Sequence, residues 1–148
     1  MLIGIPPLLG PDFLAVLRAM GHGDEIAIVD GNYPAVEHAR RLVRADGLTL
    51  PAVLDAVLQV LPVDDFVTQA LFRSTVGRDA DRLDGVHEEM LAVCARRAPG
   101  FAVVPLVGDA FYGRVKAAHA IVATGEPRLY ANFIVRKGVI HPEAEKNA

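Results

Sequence analysis

The chain has no tryptophan and a single cysteine, Cys94, among its 148 residues. One cysteine excludes an intrachain disulfide and a cysteine-built metal site, and it points to a reducing, cytoplasmic setting. Aromatic residues make up only 6% of the sequence. No basic stripe offers a nucleic acid contact, and the net charge of −3 comes without an acidic tail. No apolar run reaches the roughly 18 uninterrupted residues that a membrane span needs. The most apolar window, "PAVLDAVLQVLPV", is broken by Asp55, Gln59 and Pro62. The first residues, "MLIGIPPLLGPD", lack a basic leader and carry two adjacent prolines, so no signal peptide is expected. Repeats, low-complexity tracts and linkers are missing too, so residues 1–148 are expected to form one domain.

What is present is apolar surface in excess of what a small monomer usually carries. The hydrophobic share is 52% and mean hydropathy is +0.31. This composition predicts a soluble chain that hides part of that surface between subunits. Along the chain, "GPDFLAVLRAMG" predicts a helix with Phe13, Val16, Leu17 and Met20 on one face and Gly21 as its stop. "DEIAIVD" predicts a buried strand. "PAVEHARRLVRADG" starts as a helix and ends extended, and "LPAVLDAVLQVLP" is a helix framed by Pro51 and Pro62. "DDFVTQALFRST" has strand composition. "DRLDGVHEEMLAVCARRAPG" places Leu83, Val86, Met90 and Cys94 on one helix face. "FAVVPLV" is a strand, and "DAFYGRVKAAHA" is a helix with Asp109 as N-cap. "IVATG" and "ANFIVRKGV" are two more strands. Helices alternate with apolar rather than period-2 strands. That pattern predicts an α/β domain of three layers, α/β/α, around a largely buried mixed sheet.

The chemistry-bearing residues flank these elements. His22 stands between Gly21 and Gly23, close to Asp24. Histidine exchanges protons near neutral pH, so His22 is a candidate general acid or base; it also suits a plain helix-to-strand turn. Asp30 ends the apolar run "IAIV", where a carboxylate serves either as a ligand contact or as a turn residue before Asn32 and Pro34. A five-residue strand spans about 17 Å, so His22 and Asp30 meet only if the loops fold back or if two subunits each donate one of them. Tyr130 and Asn132 are two apart at a strand start, which predicts that a phenol and an amide project the same way. The five histidines show no metal-ligand spacing. "GHGDEI" begins like a dinucleotide fingerprint but has Ile26 in place of the third glycine.

Five pieces in order, "MGHGDEI", "DGNYPA", "VRADG", "AFYGRVKAAHAIVATGE" and "YANFIVRKGV", give the chain a resemblance to the L-fucose mutarotases and their sister D-ribose pyranases over roughly residues 1–140. "GHGDE", "RADG" and the "FY" pair look closer to the fucose branch, and "YAN" closer to the ribose branch. The resemblance implies a free monosaccharide as ligand and interconversion of its ring forms without metal or cofactor. It implies that His22 donates the proton, that Asp30 binds sugar, and that Tyr130, Ala131 and Asn132 form the sugar-contacting segment. It also implies a ring-shaped decamer with sites completed between neighbouring subunits. One position departs from the pattern: the basic residue expected before "AFY" is Gly108 here, with Arg73 as a possible substitute charge. A non-catalytic sugar-binding protein linked to uptake or regulation is the alternative expectation.

Overall fold

Short β-branched runs between turn residues make strands with both faces covered, and the amphipathic segments between them supply the cover. The computed structural model describes residues 1–142. In chain order the elements are α1 (Pro11–Ala19), β1 (Glu25–Val29), α2 (Ala35–His38), β2 (Leu42–Ala45), α3 (Leu50–Val60), β3 (Leu71–Ser74), α4 (Gly85–Arg97), β4 (Val103–Leu106), α5 (Gly108–Ala117), β5 (Ala120–Thr124) and β6 (Phe133–Arg136). The six strands form one sheet in the order β2-β5-β1-β6-β3-β4. β5 is parallel to β1 and β2, and β4 to β3; β6 is antiparallel to both β1 and β3. Five strands therefore run one way and β6 runs against them.

Alternate side chains of β1 feed two cores. Ile26 and Ile28 pack with Phe13 and Leu17 of α1, Val53, Leu54 and Val57 of α3, and Val86 and Met90 of α4. Ala27 and Val29 face the other way, onto Ala35 of α2 and Phe111 and Val115 of α5. Each Ile or Val buried in this way is worth about 1.5–3 kcal/mol. The expected three-layer arrangement with a mixed sheet is what forms. No helix among the described residues is long and apolar enough to cross a membrane.

Local expectations fail at four places. α1 ends before Gly21, because Met20 turns extended (φ −66°, ψ 134°) and buries its side chain at 4% exposure. Val107, not Asp109, occupies the N-cap of α5; Asp109 lies in the first turn, where its charge still suits the helix dipole. Leu83 precedes α4 and is 40% exposed, so it contributes no core face. "DDFVTQALFRST" is strand only over Leu71–Ser74; residues 65–69 are exposed loop.

Candidate active site

Asp30 follows β1 at the edge where the five co-directional strands end, and Asn132 precedes β6 at that same edge. Such carboxyl-end edges are where open α/β sheets bind ligands. Asp30 N–H donates to Asn132 Oδ1 at 2.9 Å, and Asp30 Oδ1 accepts from Asn32 N–H at 2.8 Å. Desolvation raises the Asp30 carboxyl above the ordinary carboxylate range, against the pull of amide donors on Asn32, Tyr33 and Ala131 and of the Asn132 side chain. Asp30 also lines a cavity of about 450 Å³ with Tyr33, Glu37, Arg44, Asp46 and Thr124. Tyr33 stacks on Tyr112 at 5.4 Å between centroids, and its hydroxyl lies 2.8 Å from His38 Nδ1. This edge is rich in hydroxyl-binding groups and has aromatic faces beside them.

The segment 130–132 does not continue the strand. Tyr130 has φ +59°, the left-handed region that non-glycine residues rarely enter. This turn breaks the expected alternation. Tyr130 is 41% exposed, Asn132 is buried against Asp30, and the Ala131 methyl sits at 0% exposure in the core. Tyr130 and Asn132 thus share the edge without pointing in parallel, and Ala131, buried as a whole residue, presents no surface there.

His22 occupies the opposite edge. Its Nε2 is 2.9 Å from Asp64 Oδ1, with the imidazole 43% exposed and the carboxylate fully buried. Arg136 Nε donates to the other oxygen of Asp64 at 2.8 Å, and Phe66 N–H donates to Oδ1 at 3.0 Å. Burial raises the Asp64 carboxyl; the hydrogen bonds from Arg136, His22 and Phe66 outweigh it and hold the group at about 2. An ionised Asp64 places the proton of neutral His22 on Nε2 and leaves Nδ1 as a bare acceptor. Phe66, 65% exposed, lies 5.0 Å from the imidazole centroid to centroid and walls one side of it. Gly138 makes the Asp64 position possible: a Cβ there would stand 2.6 Å from Val63 O and 2.7 Å from Asp64 Cα.

The chain that carries these two edges has counterparts among known proteins. The description of the RbsD / FucU transport protein family matches residues 3–140. The chain belongs to the RbsD / FucU family. It is 41% identical to the fucose mutarotase of Bos taurus over 149 residues, covering 97% of each chain. It is 40% identical to the L-fucose mutarotase of Glaesserella parasuis over 145 residues, covering 94% of this chain and 96% of that one. The crystal structure of the fucose mutarotase in complex with L-fucose from Streptococcus pneumoniae superposes with a TM-score of 0.86 at 38% identity, covering 95% of this chain and all (100%) of that one.

Within this RbsD / FucU chain, Asp30, Tyr130 and Asn132 come together, and His22 stays apart from them at the far end of β1. Gly108 opens α5 with φ +45°, and nothing lies within 4 Å of where its Cβ would be. Arg73 does not fill that space. The residue is 4% exposed, and its guanidinium donates to the carbonyls of Ser74 and Ala80. Three residues of these two edges carried no local signal: Asp64, Ser74 and His87. Asp64 sits in "VDDF", an ordinary loop string, and His87 sits in an amphipathic helix pattern. Only the long-range contacts of Asp64 with His22 and of His87 with Tyr130 give them meaning.

Proposed function

We propose that the chain is a cofactor-independent monosaccharide mutarotase, an isomerase acting on a fucose-like sugar. The observation that supports this most is the half-exposed His22 imidazole held by a buried, ionised Asp64. Mutarotation needs a proton removed from the anomeric hydroxyl and a proton delivered to the ring oxygen. The bond between the anomeric carbon and the ring oxygen breaks, the aldehyde rotates, and the ring recloses on the other face with the two protons returned. Nδ1 of His22 takes the anomeric proton while solvent water protonates the ring oxygen, and both transfers reverse as the ring recloses; a positioned acid–base residue of this kind is worth about 10²–10⁴-fold. Asp30 supplies a second carboxyl for sugar hydroxyls, and Tyr130 with the amide of Asn132 fixes the ring.

His22 and Asp30 lie at opposite ends of β1. One sugar engages both only where the His22 edge of one copy meets the Asp30 edge of another. The apolar residues left exposed, Met1, Leu2 and Ile3 at the N-terminus, Phe66 beside His22 and Leu129 beside Tyr130, support such an assembly, a ring-shaped decamer in our reading. A cytoplasmic setting fits the lone, buried Cys94, whose thiol burial pushes up to about 12. The open space at Gly108 favours one second reading, sugar binding without catalysis. NMR exchange between anomer signals of L-fucose, D-ribose and related sugars separates the two. Faster exchange with the protein, lost in His22→Ala, supports the mutarotase; binding without faster exchange supports the second reading.

A further inference from the structure

The backbone carbonyl of Tyr130 is held from two sides. Ser74 Oγ–H, at the end of β3, donates to it at 2.7 Å. His87 Nε2, from the first turn of α4, lies 2.9 Å away. His87 is 0% exposed, and its other nitrogen, Nδ1, accepts the backbone N–H of Asp84 at 3.0 Å. That acceptance fixes the tautomer: Nδ1 is bare, Nε2 carries the proton, and Nε2–H donates to Tyr130. The imidazole therefore does two jobs. It closes the N-terminus of α4, as a Glu or Gln does in a capping box, and it pins a residue 43 positions away. Ser74 Oγ in turn accepts from Asn132 Nδ2 at 3.4 Å, and Asn132 Oδ1 accepts from Asp30 N–H. A hydrogen-bonded path runs from the α4 cap to Asp30.

The residue so pinned is the strained one. A tyrosine at φ +59° is disfavoured by roughly 1–2 kcal/mol and persists only where its surroundings over-determine it. We infer that His87, acting with Ser74, is a positioning residue that locks the left-handed turn at Tyr130 and so presents Tyr130 and Asn132 to the sugar. This rests on the mutarotase reading above. Neither His87 nor Ser74 touches the sugar; each acts through the Tyr130 carbonyl.

The test compares three variants with the wild type by anomer-exchange NMR and by circular dichroism for folding. His87→Leu removes both hydrogen bonds. His87→Gln keeps an acceptor and a donor bonded to one carbon, as Nδ1 and Nε2 are in imidazole. Ser74→Ala removes the opposing donor. The expected result is that His87→Leu raises KM about tenfold with kcat nearly unchanged, since a displaced turn weakens binding while His22 sits on the other edge. His87→Gln is expected to restore KM to within about threefold of the wild type. A folded His87→Leu with wild-type KM overturns the inference, and so does a His87→Gln that is no better than His87→Leu. If His87→Leu does not fold, Ser74→Ala decides by the same KM criterion. A wild type that neither speeds exchange nor binds sugar overturns the mutarotase reading and this inference with it. A wild type that binds without catalysis moves the same comparison to the sugar Kd.

Discussion

His22 Nε2 lies 2.9 Å from Asp64 Oδ1, although 42 positions separate the two residues in sequence. The contact fixes which ring nitrogen is free. Asp64→Asn keeps the volume but presents an amide that also satisfies the opposite tautomer, leaving Nδ1 protonated and unable to accept. Sugar anomer exchange measured by NMR is expected to fall about 10²-fold, with the fold retained by circular dichroism. An Asp64→Asn variant with wild-type exchange rates would remove Asp64 from the mechanism.

The same carboxylate predicts an acid limit. Asp64 is held at about 2 in the fold against an ordinary 3.8. Its contribution, roughly 2 kcal/mol, is complete above pH 4 and is lost as pH falls through about 2, because the unfolded chain takes up the proton first. Urea midpoints between pH 5 and pH 2 are expected to fall for the wild type and to fall less for Asp64→Asn. Parallel curves for the two proteins contradict the assignment.

Separation of His22 from Asp30 predicts rescue between defective copies. His22→Ala and Asp30→Asn, each inactive alone, are unfolded together, refolded as a mixture and assayed. If one copy lends His22 to a site and another lends Asp30, random mixing regenerates about a quarter of the wild-type sites. Sites built within single chains regenerate none. The readout is anomer exchange per mole of protein, with light scattering to show that mixed assemblies formed.

Gly138 predicts a coupled loss of stability and activity. A methyl at this position meets the Val63 carbonyl at 2.6 Å and Asp64 Cα at 2.7 Å, so backbone must move. Gly138→Ala is expected to lower stability by about 1–3 kcal/mol in urea titration. Exchange is expected to drop as well, since the displaced residue is the one that orients His22. Wild-type values for both would show that the 62–64 segment yields freely.

Much of the fold is legible in the sequence because burial imposes a pattern. "IAIV" is uniformly apolar and becomes a strand covered on both faces, and α3 shows its Thr49 cap, its Pro51 and its buried Leu50, Val53, Leu54 and Val57. What is not legible depends on distant partners. Phe66, Val67 and Thr68 have strand-forming side chains but lie in loop, because the chain turns there to bury Asp64 against Arg136 and His22. Tyr130 reads as a strand start, and only the donors on Ser74 and His87 hold it left-handed. Resemblance pointed to His22 and Asp30, but Asp64, which orients His22, had no local mark.

β6 runs from Phe133, next to the residue that grips Asp30, to Arg136, whose guanidinium grips Asp64. Four residues, about 13 Å of strand, join the two edges. The strand is therefore a strut of fixed length between the Asn132–Asp30 contact and the Arg136–Asp64 contact. A two-residue slip of its register keeps every apolar side chain on its proper face, so the sheet survives, yet it carries Asn132 off the Asp30 backbone and Arg136 off the Asp64 carboxylate in the same movement. In the proposed assembly, where a copy lends His22 to one site and Asp30 to another, both sites would then fail together and the damage would be shared with its neighbours.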